Sequence, residues 1–278
     1  MRVRPNIYKS PDEMRRMLRP GLATAASLTA ARDAIAPGAT TRELDLLAEA
    51  AIRSRGGVSN FKKEPGYRHT ICASINEDIV HGIPGERVLA AGDIVSIDSG
   101  AEVGGWNGDA AITVVLPDPE RPDRIAELTE LSDVTEQSLW CGIAALASAS
   151  HLGEVGAAIE DYIDSRGSYG ILEDYTGHGI GRSMHEEPPV FNYRVPDRGP
   201  RVRPGLVVAI EPMVTLGGIE TFVRRDGWTV ATSDGTASAH WEHSIAVHDD
   251  GIWVLTAEDG GAAGLAPFGV TPVPLPQP

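Results

Sequence analysis

Residues Thr176 to Pro188 read TGHGIGRSMHEEP, with two histidines, two glutamates, three glycines and no run of core-type apolar residues. His185 follows His178 by seven residues, and Glu186 and Glu187 come directly after it. Four other acids lie in sequence that otherwise reads as strand. Asp98 closes the apolar run IVSIDSG, and Asp109 precedes the apolar run of GWNGDAAITVV. Glu211 sits inside VVAIEPMV, and Glu242 lies between Trp241 and His243 in SAHWEHSIAV. A carboxylate flanked by Val207, Val208, Ile210, Met213 and Val214 is costly unless it is paired or metal-bound. Four converging carboxylates would repel one another and raise each other's pKa. Two divalent cations would balance Asp98, Asp109, Glu211 and Glu242, with neutral His178 as a nitrogen ligand. An oxygen-rich site with one imidazole suits Mn, Fe, Co or Zn. Taken singly, Asp98 and Asp109 also read as turn residues beside Gly100 and Gly108, and His178 as a structural histidine.

The elements that must position these groups follow from periodicity and punctuation. KSPDEMRRMLRPGLATAASLTAARDAIAPG reads as a helix: Ser10 caps it, Pro11 suits its first position and Glu13 completes a capping box. Pro20 is expected to kink or break it. TTRELDLLAEAAIRSRGG is a second helix, opened by Thr40 with Glu43 and ended by Gly56 or Gly57. HTICASI, DIVSIDSG and DAAITVVLP carry β-branched runs and read as strands. A short turn between the last two would make Asp98 and Asp109 cross-strand neighbours. Helical pattern returns over 123–149 and 153–166. Strand-like LVVAIEPMV, GWTVATSDG and HSIAVHDDGIWVLT follow. Both halves thus run two helices and then strands. ELDLLAEAAIRSRGG and EVGAAIEDYIDSRGS agree at six of fifteen positions, among them Ile52/Ile163, Arg55/Arg166 and Gly56/Gly167. A duplicated α/β unit would place a site at the junction of its halves.

At 278 residues, 42% of them hydrophobic, the chain can bury a sizeable core in one large or two small domains. With 24 Lys plus Arg against 39 Asp plus Glu, the net charge is −15, which argues against nucleic-acid binding. Cys72 and Cys141 do not make a disulfide framework. No stretch approaches the ~18 apolar residues of a membrane span, and the N-terminus lacks a signal-peptide pattern, so a cytoplasmic protein is expected. The Gly/Pro-rich end, GAAGLAPFGVTPVPLPQP, is expected to be loosely ordered. The expected division is a catalytic domain over 1–258 and a tail over 259–278.

The blocks CASINEDIVHGIP, VSIDSGAEVGGWNGDA, YTGHGIGRSMHEEPPV, VVAIEPMV and SAHWEHSIAV, in this order, resemble the signatures of type I methionine aminopeptidases from about Ser10 to Thr256. The resemblance implies the pita-bread fold, a pseudo-twofold α/β unit around a central antiparallel sheet. It implies two divalent ions (Co, Mn, Fe or Zn) held by Asp98, Asp109, His178, Glu211 and Glu242. His81 and His185 would contact substrate. The implied reaction removes the N-terminal methionine of nascent proteins by attack of a metal-bridging hydroxide. In it Glu211 shuttles the proton, His185 donates toward the carbonyl oxygen, and His81 holds the leaving nitrogen. A small second residue would be preferred. Glu186 and Glu187 are expected to support the ligands or face solvent.

The same resemblance places Tyr67, Cys72, Met184 and Trp228 around the methionine side chain; Cys72 and Met184 also read as plain core residues. Three departures bear on specificity. Glu64 stands where an aromatic residue is common, Asn107 replaces a usual histidine, and Met184 replaces a usual phenylalanine. A pita-bread aminopeptidase of other specificity (X-Pro or non-Met) remains an alternative. So does a non-catalytic binding protein of the same fold, although no metal ligand is missing. A monomer is expected, and the ribosome stays open as a partner.

Overall fold

Ser10 and Thr40 open the first two helices as the sequence predicts. In both, the cap hydroxyl accepts from the backbone N–H three residues on, and Glu13 or Glu43 reaches back to the cap's own N–H. The computed structural model describes residues 7–276. Helix α1 spans Pro11–Ala34, α2 Thr41–Ser54, α3 Pro122–Leu146 and α4 Gly153–Arg166. The two pairs match closely in length, at 24 and 14 residues against 25 and 14. The repeated positions also share their roles. Ile52 and Ile163 are both buried, and Gly56 and Gly167 both follow the last helical turn. Glu154, in the first turn of α4, accepts the N–H groups of Ser150 and His151, although α4 has no capping box.

The expected break at Pro20 does not occur, since α1 runs unbroken through it. A mid-helix proline costs about 3 kcal/mol, and tertiary packing offsets it here. The Pro20–Gly21 turn is buried against Gly108, where a Cβ would lie 2.7 Å from the Gly21 nitrogen. A Cβ on Gly21 would in turn lie 2.3 Å from the carbonyl oxygen of Leu255. Thr24 donates to the Gly108 carbonyl at 3.1 Å, and the Ser27 and Ser99 hydroxyls meet at 2.6 Å. Helix α1 is thus clamped to the strand that carries Asp109.

The strands that build the site are β1 Ile71–Ile75, β2 Ile94–Val103, β3 Trp106–Val115, β4 Gly177–Gly179, β5 Glu186–Val190, β6 Val207–Ile210, β7 Met213–Thr215, β8 Ser238–His240, β9 His243–His248 and β10 Gly251–Val254. All their pairings are antiparallel. In the first half, β2 pairs with β3 along its whole length and with β1 on its other edge. In the second half the order is β10–β9–β6–β4–β5. The halves join where Ala111 and Glu242 exchange backbone hydrogen bonds of 3.2 and 3.0 Å. The Ser244 hydroxyl reinforces that seam, donating to the Asp109 carbonyl at 2.7 Å. The largest apolar cluster lies between α3, α4 and the second sheet.

The Gly/Pro-rich end is better held than its composition suggests. Leu265 and Leu275 are buried, Val273 N–H donates to Ile252 at 3.0 Å, and Arg15 donates to the Pro276 carbonyl at 3.0 Å. Gly264 lies flat on Trp140, where any Cβ would clash. The glycines and prolines here permit close docking rather than disorder.

Candidate metal and peptide site

The pairing register of β2 and β3 sets the first two acids. Asp98 lies opposite Ala111, and Asp109 opposite Gly100. They are therefore diagonal neighbours on one face, two residues out of direct opposition. Gly104 and Gly105 turn the hairpin one residue past the point that direct opposition would need. Glu211 follows the end of β6, where Pro212 has no N–H to continue the ladder. Glu242 sits at the seam between β8 and β9.

His178 is the middle residue of β4, which lies between β5 and β6. Its flanking glycines admit neighbouring backbone rather than a ligand: a Cβ on Gly177 would lie 2.4 Å from Ala209 O, and one on Gly179 2.2 Å from Glu187 O. Nδ1 of His178 lies 2.9 Å from Gly179 O, a bond that needs the proton on Nδ1. Nε2, 3.5 Å from Glu211 Oε1, is then free to bind a cation.

These residues converge on one cavity of about 160 Å³. Ligand atoms of His178, Glu211 and Glu242 lie within 4.8 Å of one another, as do those of Asp98, Asp109 and Glu242. Buried oxygens of Asp98, Asp109 and Glu242 have no hydrogen-bond partner. Burial pushes the Asp98 carboxyl up to about 7. Burial and then the neighbouring carboxylates push Asp109, Glu211 and Glu242 upward as well. Clustered acids with orphaned oxygens beside an accessible imidazole nitrogen fit hard to borderline divalent cations.

Two further histidines flank the acids. His185 is exposed, and its ring meets that of His178 edge-on at 4.4 Å. Its ligand atom also comes within 4.8 Å of Asp109 and His178, so proximity alone does not separate substrate contact from metal ligand. His81 adopts φ 59°, a left-handed conformation uncommon outside glycine, and stacks edge-on against Tyr175. Burial lowers the pKa of the His81 ring, and that of His178 to about 4.

The apolar side of the cavity is lined by Tyr67, Cys72, Met184 and Trp228. Tyr67 donates to Ile71 O at 2.7 Å and packs edge-on against Trp228 at 5.1 Å. Cys72 is buried, and burial pushes its thiol well up, keeping it protonated. Lys9 pairs with Glu186 at 3.0 Å, and Glu186 accepts the Ser183 N–H, so Glu186 supports the 181–186 loop rather than any ion. Asn107 does similar work, donating from N and Nδ2 to Gly181 O at 2.9 and 3.0 Å.

Two residues were missed in the sequence. Phe61 lines the cavity and fills aromatic space beside Glu64, with only a short 3₁₀ turn around it to signal a role. His240 is buried, with Nε2 3.7 Å from Glu211 Oε2 and no hydrogen-bond partner. Its signal was the strand period, since His240 and Glu242 are two residues apart and share a face. His243 points the other way and bonds Thr256 Oγ1 at 2.8 Å.

Fold and site together define a metal-dependent peptidase class. A model of metallopeptidase family M24 matches residues 15–249. Methionine aminopeptidase 1 of Mycobacterium tuberculosis is 46% identical, covering 89% of this chain and 94% of its own. Methionine aminopeptidase 1 of Bacillus subtilis is 40% identical, covering 90% and 98%. The crystal structure of methionine aminopeptidase from Thermotoga maritima superposes with TM-score 0.84 at 38% identity, over 90% of this chain and 99% of that one. Prolidase from Pyrococcus furiosus shares the fold alone, with TM-score 0.69 at 19% identity. The chain belongs to metallopeptidase family M24, within its methionine aminopeptidases.

Proposed function

We infer that the protein is a metal-dependent aminopeptidase that removes N-terminal methionine from nascent proteins. The observation that carries this is one small cavity with the acid–histidine cluster on one side and Phe61, Tyr67, Cys72, Met184 and Trp228 on the other. Asp98, Asp109, His178, Glu211 and Glu242 are the residues to hold two divalent ions. When bound, such ions polarise a carbonyl and supply a nucleophilic water at neutral pH.

The chain's own groups do the rest. The apolar wall takes the methionine side chain, and a thioether packs well against aromatic edges. A free, neutral α-amine would be recognised where these residues hold the ions, which would restrict cleavage to the first peptide bond. Glu211, its oxygens facing His178 and His240, takes the proton and passes it to the leaving nitrogen. His185 donates to the carbonyl oxygen as negative charge develops, and His81 holds the leaving nitrogen. A small second residue passes between these histidines.

The same reading takes residues 1–258 as the catalytic unit and 259–278 as an appended segment. It takes the protein to act as a cytoplasmic monomer with Mn, Co, Fe or Zn, and leaves the ribosome as a partner to be tried. No described helix is long and apolar enough to cross a membrane. The test is hydrolysis of Met-Ala-Ser, Leu-Ala-Ser and Xaa-Pro peptides by metal-loaded protein. Release of methionine alone supports the reading; turnover of Xaa-Pro or Leu peptides moves the substrate assignment. His185→Ala should depress kcat with metal retained, and lost metal would make His185 a ligand.

A further inference from the structure

Of the acids lining the cavity, Glu64 alone is neither an assigned metal ligand nor an assigned proton carrier. Unlike Asp109 and Glu242, it is exposed, which puts its carboxylate at the mouth rather than among the ions. Its side chain makes no hydrogen bond or ion pair among the described residues. The two lysines before it are already engaged: Lys62 pairs with Glu49 at 2.9 Å, and Lys63 pairs with Glu102. Glu64 nevertheless lines the same cavity as His81 and His185. A carboxylate without an ion-pair partner among the described residues therefore stands at the exposed edge of the cavity that His185 also lines.

We propose that Glu64 is a specificity-determining residue that favours substrates with a cationic side chain at the third position and disfavours acidic ones there. This rests on the aminopeptidase reading, which puts methionine in the apolar pocket and a small second residue between His81 and His185. The third side chain is then the first with room to reach the mouth. Unit charges several ångströms apart near a protein surface attract or repel enough to change rates a few-fold each way. The expected ratio of kcat/KM for a Lys against a Glu substrate is about tenfold at low salt, shrinking as salt screens the mouth.

The test compares Met-Ala-Lys-Ser, Met-Ala-Gln-Ser and Met-Ala-Glu-Ser with the metal-loaded enzyme at low and high ionic strength. The order Lys above Gln above Glu is expected, with the Lys/Glu ratio falling to about one in Glu64→Gln and inverting in Glu64→Lys. A ratio near one in the unmodified protein overturns the proposal. So does a ratio that survives in Glu64→Gln, which would assign the preference to the general field of a chain with net charge −15. Failure to release methionine from Met-Ala-Gln-Ser would instead overturn the aminopeptidase reading itself, since that peptide carries no side-chain charge.

Discussion

The two halves of the molecule share a scaffold but differ in what they bring to the site. Their helix pairs are nearly equal in length, and Ile52 and Ile163 fill equivalent core positions. The first half supplies Asp98 and Asp109 from one continuous hairpin, fixed by a single register. The second supplies His178, Glu211 and Glu242 from three places that only tertiary packing unites. It also supplies His185 and His240. A duplicated framework can thus hold its core roles constant while the chemistry becomes one-sided: cation-holding acids from both halves, proton-handling groups mostly from one.

The largest effect that would break this comparison is at Glu211. Glu211→Gln should lower kcat by about 10²–10⁴-fold, the range of general acid–base catalysis. Near-normal turnover would take the proton shuttle away from Glu211. Asp109→Ala should cost metal occupancy, measured by elemental analysis, and a fully loaded variant would take the first-half hairpin out of the ligand set.

The metal-free protein should show the acids' burden in its pH dependence. Asp98 is raised from 3.8 to about 7, so the folded state binds more protons than the unfolded chain between those values. Its contribution to stability is present below about pH 4 and is lost as pH rises toward 7. Divalent metal must displace that proton, so the metal-induced rise in Tm should be larger at pH 8 than at pH 5. An equal rise at both would mean that the ions bind elsewhere.

Smaller effects sharpen the scaffold side. Ile52→Ala and Ile163→Ala should each cost about 2–5 kcal/mol in denaturant unfolding, because each opens a cavity in a closed core. A large mismatch between them would show that the twofold is one of shape rather than of energetics. Thr40→Ala should cost about 1 kcal/mol by leaving the start of α2 uncapped. No change would mean that Glu43 alone holds that end.

Much of this arrangement was legible in the sequence because it is set locally. Both capping boxes, the helix pairs and the strands around Asp98, Asp109, Glu211 and Glu242 follow from spacing and punctuation. What was not legible depends on contacts between distant segments. Pro20 stays helical because α1 lies on Gly108 and Leu255. The diagonal placement of Asp98 and Asp109 depends on where the hairpin turns. The C-terminal segment is ordered by Trp140, Ile252 and Arg15, and no composition rule reads those contacts. His240 is two residues from Glu242 on a shared face, but only the packing that buries it beside Glu211 sets it apart from an ordinary strand residue.

The most direct test is a calorimetric titration of metal-free protein with Mn²⁺, with hydrolysis of Met-Ala-Ser and Leu-Ala-Ser followed on the same samples. Free methionine should appear only as the ions fill the site, while Leu-Ala-Ser stays intact. Methionine release by metal-free protein, or a filled site that releases none, would contradict the metal-dependent assignment.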